Sequence, residues 1–205
     1  MDPDARKDRQ DLMPERRVTG LVLAGGQGRR MGSVDKGLVR LSGRAMVAHV
    51  LERLEPQVDD ILINANQHAD EYAAFGHPVI ADTIGGFAGP LAGLQVGLSN
   101  ARHALVATVP CDSPFLPDDL VARLAAALER EGAELAVART FDQPHPVFAL
   151  VRRTVLPHLT RFLEGGGRKI DAWYSALSIV EVPFDDEADA FRNINTTDEL
   201  RQADG

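Results

Sequence analysis

Leu21-Val22-Leu23-Ala24-Gly25-Gly26-Gln27-Gly28-Arg29-Arg30-Met31-Gly32-Ser33-Val34-Asp35-Lys36 decides the fold, because an apolar strand runs straight into a glycine-rich loop carrying three cations. Gly25, Gly26 and Gly28 lack the Cβ that would keep the backbone away from an anion, so successive N–H groups can point at phosphate oxygens. Arg29, Arg30 and Lys36 supply the charge. Spacing excludes two common phosphate loops. The nucleotide-triphosphatase loop needs Gly-Lys-Ser/Thr, and Gly32-Ser33 has no lysine between its members. The dinucleotide fingerprint misses by one residue, since Arg29-Arg30-Met31 separate Gly28 from Gly32, and the next strand, Ile61-Leu62-Ile63, runs into Asn64 where a ribose-binding acid is expected. A plain strand-to-helix turn is the bland alternative, and glycines with clustered cations are a poor composition for one.

Outward from this loop, short β-rich runs at 19–23, 60–64, 78–81, 104–109 and 134–138 alternate with amphipathic segments. The helical spacing is carried by Met46, Val50, Leu51 and Leu54, and by Leu120, Leu124, Ala127 and Leu128 after a Pro117-Asp118 start. Stretches 147–151 and 178–182 read as further strands, and a final helix is expected from Thr196 or Thr197, with Glu199 near capping-box position. The rhythm predicts an α/β fold: three layers, a mostly parallel sheet with helices on both faces. With no repeat or dividing linker, residues 19–205 are expected to form one domain, preceded by a disordered tail over 1–18.

A formal charge of −8 over 205 residues opposes broad contact with nucleic acid or an anionic membrane surface, so an anionic substrate must meet a local basic pocket or a metal ion. Cys111 is the only cysteine, which excludes an internal disulfide and a cysteine-rich zinc site. The first 17 residues hold ten charges of mixed sign and no apolar core segment, and no uncharged apolar run approaches a bilayer span. The expected location is therefore cytoplasmic.

Polar residues fall at the strand ends. The first strand ends in the glycine loop, the second at Asn64, the third at Asp82 and the fourth at Cys111-Asp112. In an open parallel sheet the carboxyl ends share one edge, so four features distant in sequence converge on one crevice, which is the candidate nucleotide pocket. Ordinary loop polarity accounts for Asn64 or Asp82 taken alone. Asp112 sits between Pro110 and Pro114, and a rigid carboxylate opposite a phosphate loop suits Mg²⁺, which binds through one or two carboxylates plus substrate phosphates. Asp112-Ser113-Pro114 is equally good turn chemistry.

Leu23-Ala24-Gly25-Gly26, Arg30-Met31-Gly32 and Lys36 together resemble the signature of nucleotidyltransferases that activate phosphorylated small molecules, and within them the molybdenum cofactor guanylyltransferases. The likeness runs from about Thr19 to about Leu200 through Asn64-Ala65-Asn66, Asp82, Gly89-Pro90-Leu91-Ala92-Gly93, Pro110-Cys111-Asp112-Ser113-Pro114, His145-Pro146 and Asn193-Ile194-Asn195-Thr196. The resemblance implies a Rossmann-like nucleotidyltransferase fold and Mg²⁺-dependent transfer of GMP from GTP to the terminal phosphate of molybdopterin, with release of pyrophosphate. It implies Arg30, Lys36 and Asp112 as catalytic residues. Leu23, Ala24, Gly25, Gly26, Lys36, Asn64, Asp82 and Asp112 are implied to bind the nucleotide. Asp112 is the implied Mg²⁺ ligand, with Asn195 approaching the metal from the far end of the chain; a loop preceding a helix is the competing account of Asn195. The paired Gly25-Gly26 sides with the guanine-selective members, and Asn64 can offer both donor and acceptor to a base. Apo-molybdoenzymes and their chaperones are the macromolecular partners such a protein would have. A transferase using CTP or a sugar phosphate, and a nucleotide-binding protein that delivers cofactor without catalysis, fit the same residues.

Two segments could grip the acceptor. Gly89 to Gly93 reads as a helix start with free N–H groups, while Gly165-Gly166-Gly167-Arg168-Lys169 reads either as an anion loop or as a helix stop with solvated cations. His145 between Pro144 and Pro146 is a general acid-base candidate or part of a rigid turn lining the acceptor pocket. Trp173 and Met46, at helical spacing, are expected in the core.

Overall fold

The computed structural model describes residues 17–24, 35–85 and 89–194. Most of the expected tail, residues 1–16, and the expected terminal helix from Thr196 or Thr197 lie outside them. Nine strands and six α-helices occupy the described residues. In chain order they are β1 (Val18–Leu23), β2 (Arg40–Leu41), β3 (Arg44–Ala45), α1 (Met46–Leu54), β4 (Asp60–Asn64), α2 (Ala69–Ala73), β5 (Val79–Ile80), α3 (Pro90–Asn100) and β6 (Leu105–Pro110). There follow α4 (Leu120–Arg130), β7 (Leu135–Thr140), β8 (Gln143–Arg152), α5 (Leu156–Glu164), α6 (Ile170–Tyr174) and β9 (Ile179–Pro183).

Seven strands form one sheet in the order β5-β4-β1-β6-β8-β7-β9, and β2 and β3 pair as a separate short hairpin. β5, β4, β1 and β6 run parallel, and β9 is parallel to β7. The exception to the expected parallel rhythm is β8, antiparallel to both β6 and β7. Only Phe141 and Asp142 separate β7 from β8. Two residues close a hairpin, whereas a parallel crossover takes a dozen or more, so β8 must run backwards.

Side chains alternate across the sheet because the strand period is two. In β4, Ile61 and Ile63 point to one core and Leu62 to the other; in β6, Leu105, Ala107 and Val109 oppose Val106. The first core packs under α1 and α4, through residues such as Val50, Leu54, Leu120 and Leu124. The second packs under α3, α5 and α6, through Leu91, Leu98, Leu159 and Trp173. This is the three-layer arrangement expected from sequence. Trp173 and Met46 are both fully buried, as the helical spacing indicates. No helix among the described residues is long and apolar enough to cross a membrane.

Candidate active site

The parallel strands end together. Leu23 pairs in register with Asn64 on one side and Pro110 on the other, so the residues that leave β1, β4 and β6 emerge side by side. Past the strand ends the backbone stays tied: Ala24 N–H donates to Asn64 O at 2.8 Å, and Cys111 N–H to Leu23 O at 3.1 Å. Leu23 and Ala24 thereby form the floor between Asn64 and Asp112. Gly25, Gly26, Gly28, Arg29, Arg30 and Asn195 lie outside the described residues.

The chain returns to this edge at Lys36, whose ammonium lies 3.1 Å from Asp112 Oδ2. A cation from the end of the glycine loop and a carboxylate from the end of β6 thus meet across 76 residues of sequence. The pair is only partly solvated, with side-chain exposures of 25% for Lys36 and 11% for Asp112. Asp112 is also held through its backbone, since Ile194 N–H donates to its carbonyl at 3.0 Å. Next to it, Ser113 Oγ donates to Asn193 Oδ1 at 2.6 Å. The far end of the chain therefore reaches the Asp112 loop as far as Ile194, the residue before Asn195.

Asn64 and Asp82 also meet, but not as two independent base readers. Asn64 Nδ2 donates to Asp82 Oδ1 at 2.9 Å and to Ile80 O at 3.2 Å, so both of its amide hydrogens are engaged within the protein. Asn66 donates to Asp82 Oδ2 at 2.9 Å and accepts from the Asp82 backbone N–H at 2.8 Å. Each Asp82 oxygen takes one amide donor, and a carboxylate can accept about four hydrogen bonds in all. The expectation that Asn64 offers a free donor to a base is corrected accordingly. α3 comes close because Gly93 has no side chain: a Cβ there would run into Asn64 Oδ1.

Two residues enter the site that the sequence reading did not single out. Asp35 caps the 3₁₀ turn Lys36–Leu38 by accepting from Gly37 N–H at 3.2 Å, and the same Oδ1 accepts from the Tyr72 hydroxyl at 2.6 Å. Burial, with Cys111 and Asp35 nearby, pushes the Tyr72 phenol above its ordinary value, so it stays a donor. Burial and the neighbouring Asp112 push the Cys111 thiol up as well, which makes it a poor nucleophile. The signal for Asp35 was available as Asp35-Lys36-Gly37, an acid two residues before a glycine. Tyr72 offered none, because it lies 37 residues away on a five-residue helix.

The acceptor-side readings resolve differently. Gly165, Gly166 and Gly167 donate their N–H groups to Arg161 O, Leu163 O and Phe162 O, and Arg168 Nη1 donates to Leu163 O at 2.8 Å. That is a helix stop closing α5, and these N–H groups are not available to an anion. α3 does begin at Pro90 with Gly89 as its N-cap. His145 lies within β8, not in a turn; its ring stacks on Phe191 at 4.7 Å and its Nε2 is 2.7 Å from Thr140 Oγ1. Burial lowers its pKa.

Among the described residues no group of three or more His, Cys, Asp or Glu side chains could hold a metal ion by itself. Mg²⁺ does not need one, since it takes one or two carboxylates together with phosphate oxygens and water. Asp112 fits that demand: Oδ2 is engaged by Lys36, and Oδ1 carries no hydrogen bond among the described residues.

A family model described as a MobA-like NTP transferase domain matches residues 20–178. The molybdenum cofactor guanylyltransferase of Cupriavidus taiwanensis is 53% identical over 189 residues, covering 90% of this chain and 94% of that protein. The enzyme of the same name from Ralstonia nicotianae is 49% identical over 200 residues, covering 93% and 98%. The crystal structure of molybdopterin-guanine dinucleotide biosynthesis protein A from Archaeoglobus fulgidus superposes with a TM-score of 0.77 at 28% identity, over 91% of this chain and 96% of that one.

Proposed function

Because the chain belongs to the family of MobA-like NTP transferase domains, we propose that it is a guanylyltransferase that moves GMP from GTP onto the terminal phosphate of molybdopterin. The observation that carries this reading is the Lys36–Asp112 pair at the carboxyl edge of the sheet, where a cation and a carboxylate stand together beside the end of β1. Such a pair suits a triphosphate and its divalent ion, which need charge of both signs at close quarters.

In the reaction, an oxygen of the acceptor's phosphate forms a bond to the α-phosphorus of GTP, the bond from that phosphorus to the bridging oxygen breaks, and pyrophosphate leaves. Transfers of this kind depend on positioning and electrostatics, and no covalent enzyme intermediate is called for. Mg²⁺, held by Asp112 and Asn195 with the substrate phosphates, would offset negative charge on the triphosphate. Lys36 and Arg30 bind the phosphates and stabilise the charge that builds up as pyrophosphate departs. The backbone of Leu23, Ala24, Gly25 and Gly26 cradles the nucleotide, with the two glycines leaving room for a purine. Asp82 accepts hydrogen bonds from the guanosine part, and Asn64 acts through Asp82 by fixing its carboxylate. Guanine presents N–H donors on its base-pairing edge that a carboxylate can accept. Apo-molybdoenzymes or their chaperones would receive the product.

The test is a transfer assay with purified protein, molybdopterin carrying molybdenum, Mg²⁺ and either GTP or CTP. The expected result is release of pyrophosphate with GTP, dependent on both acceptor and Mg²⁺. Preference for CTP would overturn the guanylyl assignment, and tight GTP binding without pyrophosphate release would indicate a delivery protein instead.

A further inference from the structure

Tyr72 has no exposed surface, yet its hydroxyl touches both halves of the charged pair's support. On one side it donates to Asp35, the residue that caps the turn on which Lys36 sits. On the other it abuts the thiol of Cys111, whose next residue is Asp112 and whose N–H is bonded to Leu23 O. Gly37 makes this convergence possible, because a Cβ there would collide with the Tyr72 hydroxyl and approach Cys111 Cβ and Sγ to 3.1 Å. A phenylalanine would fill the same apolar volume, so burial of the ring does not account for the hydroxyl. What the oxygen adds is the 2.6 Å bond to Asp35.

A lysine ammonium rides on a flexible four-carbon stem, so its location depends on where the turn fixes its Cα. Asp35 fixes that turn through Gly37 N–H, and Tyr72 fixes Asp35. We propose that Tyr72 is a positioning residue for nucleotide binding: its hydroxyl, acting through Asp35, holds Lys36 at its working distance from Asp112 and the triphosphate. The inference rests on the phosphate-binding role given to Lys36 under the proposed function. It assigns Tyr72 no contact with substrate.

The experiment is a double-mutant cycle read by GTP affinity in the presence of Mg²⁺, which needs no turnover. GTP is titrated into the full chain as wild type, Tyr72→Phe, Lys36→Ala and the double variant, and unfolding midpoints are recorded for each. In the wild-type background Tyr72→Phe should weaken GTP binding by about fivefold, the factor that about one net hydrogen bond commands. In the Lys36→Ala background the same substitution should change affinity by less than about twofold, because the group it positions is gone. An equal loss in both backgrounds, or no loss in either, overturns the proposal. If Tyr72→Phe unfolds at the assay temperature, Asp35→Ala breaks the same connection from its other, half-buried end, and the same two factors decide the matter. A Lys36→Ala protein that binds GTP as tightly as wild type sinks the phosphate-binding role itself, an outcome distinct from additivity.

Discussion

Asn64 donates from Nδ2 to Asp82 Oδ1 at 2.9 Å, and this bond ties the end of β4 to the loop after β5. With Asn66 on the other oxygen, the Asp82 carboxylate is held by two amides at once. Charge-assisted bonds of this kind orient the acceptor more firmly than a solvated aspartate could be oriented, and the remaining lone pairs stay available to a ligand.

Asp82→Asn should raise the KM for GTP by about tenfold, the order expected when a hydrogen bond to a charged group is lost. The new amide must turn an NH₂ toward either Asn64 or Asn66, both of which already present NH₂ groups there, so the clamp cannot re-form. The ratio of kcat/KM for GTP to that for CTP should fall in parallel. Steady-state kinetics with both nucleotides checks this, and an unchanged ratio would remove Asp82 from base selection.

Gly93→Ala is expected to damage the same region from behind. The added methyl would meet Asn64 Oδ1 and come within 2.7 Å of Leu23 Cδ2, on the floor of the pocket. Overpacking of a well-fitted site costs about 1–3 kcal/mol, read as a lower urea midpoint with an unchanged slope. GTP affinity should fall as well, since the side chain that would move is the one that orients Asp82.

The four strand-end features were legible because each follows a short apolar run, and in a parallel sheet such runs all finish on one edge. Strands β1, β4 and β6 begin and end within a residue of the expected positions. β2 and β3 escaped notice because two residues carry no periodicity, and the reversed direction of β8 is a matter of loop length rather than of strand composition. The sequence singles out Lys36, Asp112, Asn64 and Asp82 one by one, but not their division into the pairs the structure forms. Which hydrogens of Asn64 are engaged depends on how side chains are placed across the strand ends, and no spacing rule encodes that. Tyr72 was hidden for the same reason.

His145 makes a prediction about acid stability. Burial against Phe191 holds its folded pKa below the ordinary value of about 6.5, so the unfolded chain binds a proton more readily than the native one in the window beneath that value. Stability must then fall as pH drops from about 6.5 through the lowered folded pKa, and it is undiminished by this group above that window. His145→Gln should flatten that slope while leaving the neutral-pH midpoint little changed, because glutamine can still reach the Thr140 hydroxyl. Urea midpoints measured between about pH 5 and 8 decide it. An identical slope in both proteins would place the titration elsewhere.

Asp112→Ala should lower pyrophosphate release by at least about a hundredfold, in the range seen when a preorganised electrostatic contact is removed from an active site. The fold should survive, for two reasons. The bond from Ile194 N–H goes to the Asp112 backbone carbonyl, which the substitution keeps. Lys36 is a quarter exposed and can hydrate its ammonium once its partner is gone, so no buried charge is stranded. If Asp112 holds Mg²⁺, raising the metal concentration should restore part of the activity in Asp112→Asn, which retains one oxygen ligand, and none in Asp112→Ala. Titration of Mg²⁺ in the transfer assay, with thermal unfolding as the control on folding, separates the outcomes. Full activity in the alanine variant would rule out the metal-binding role.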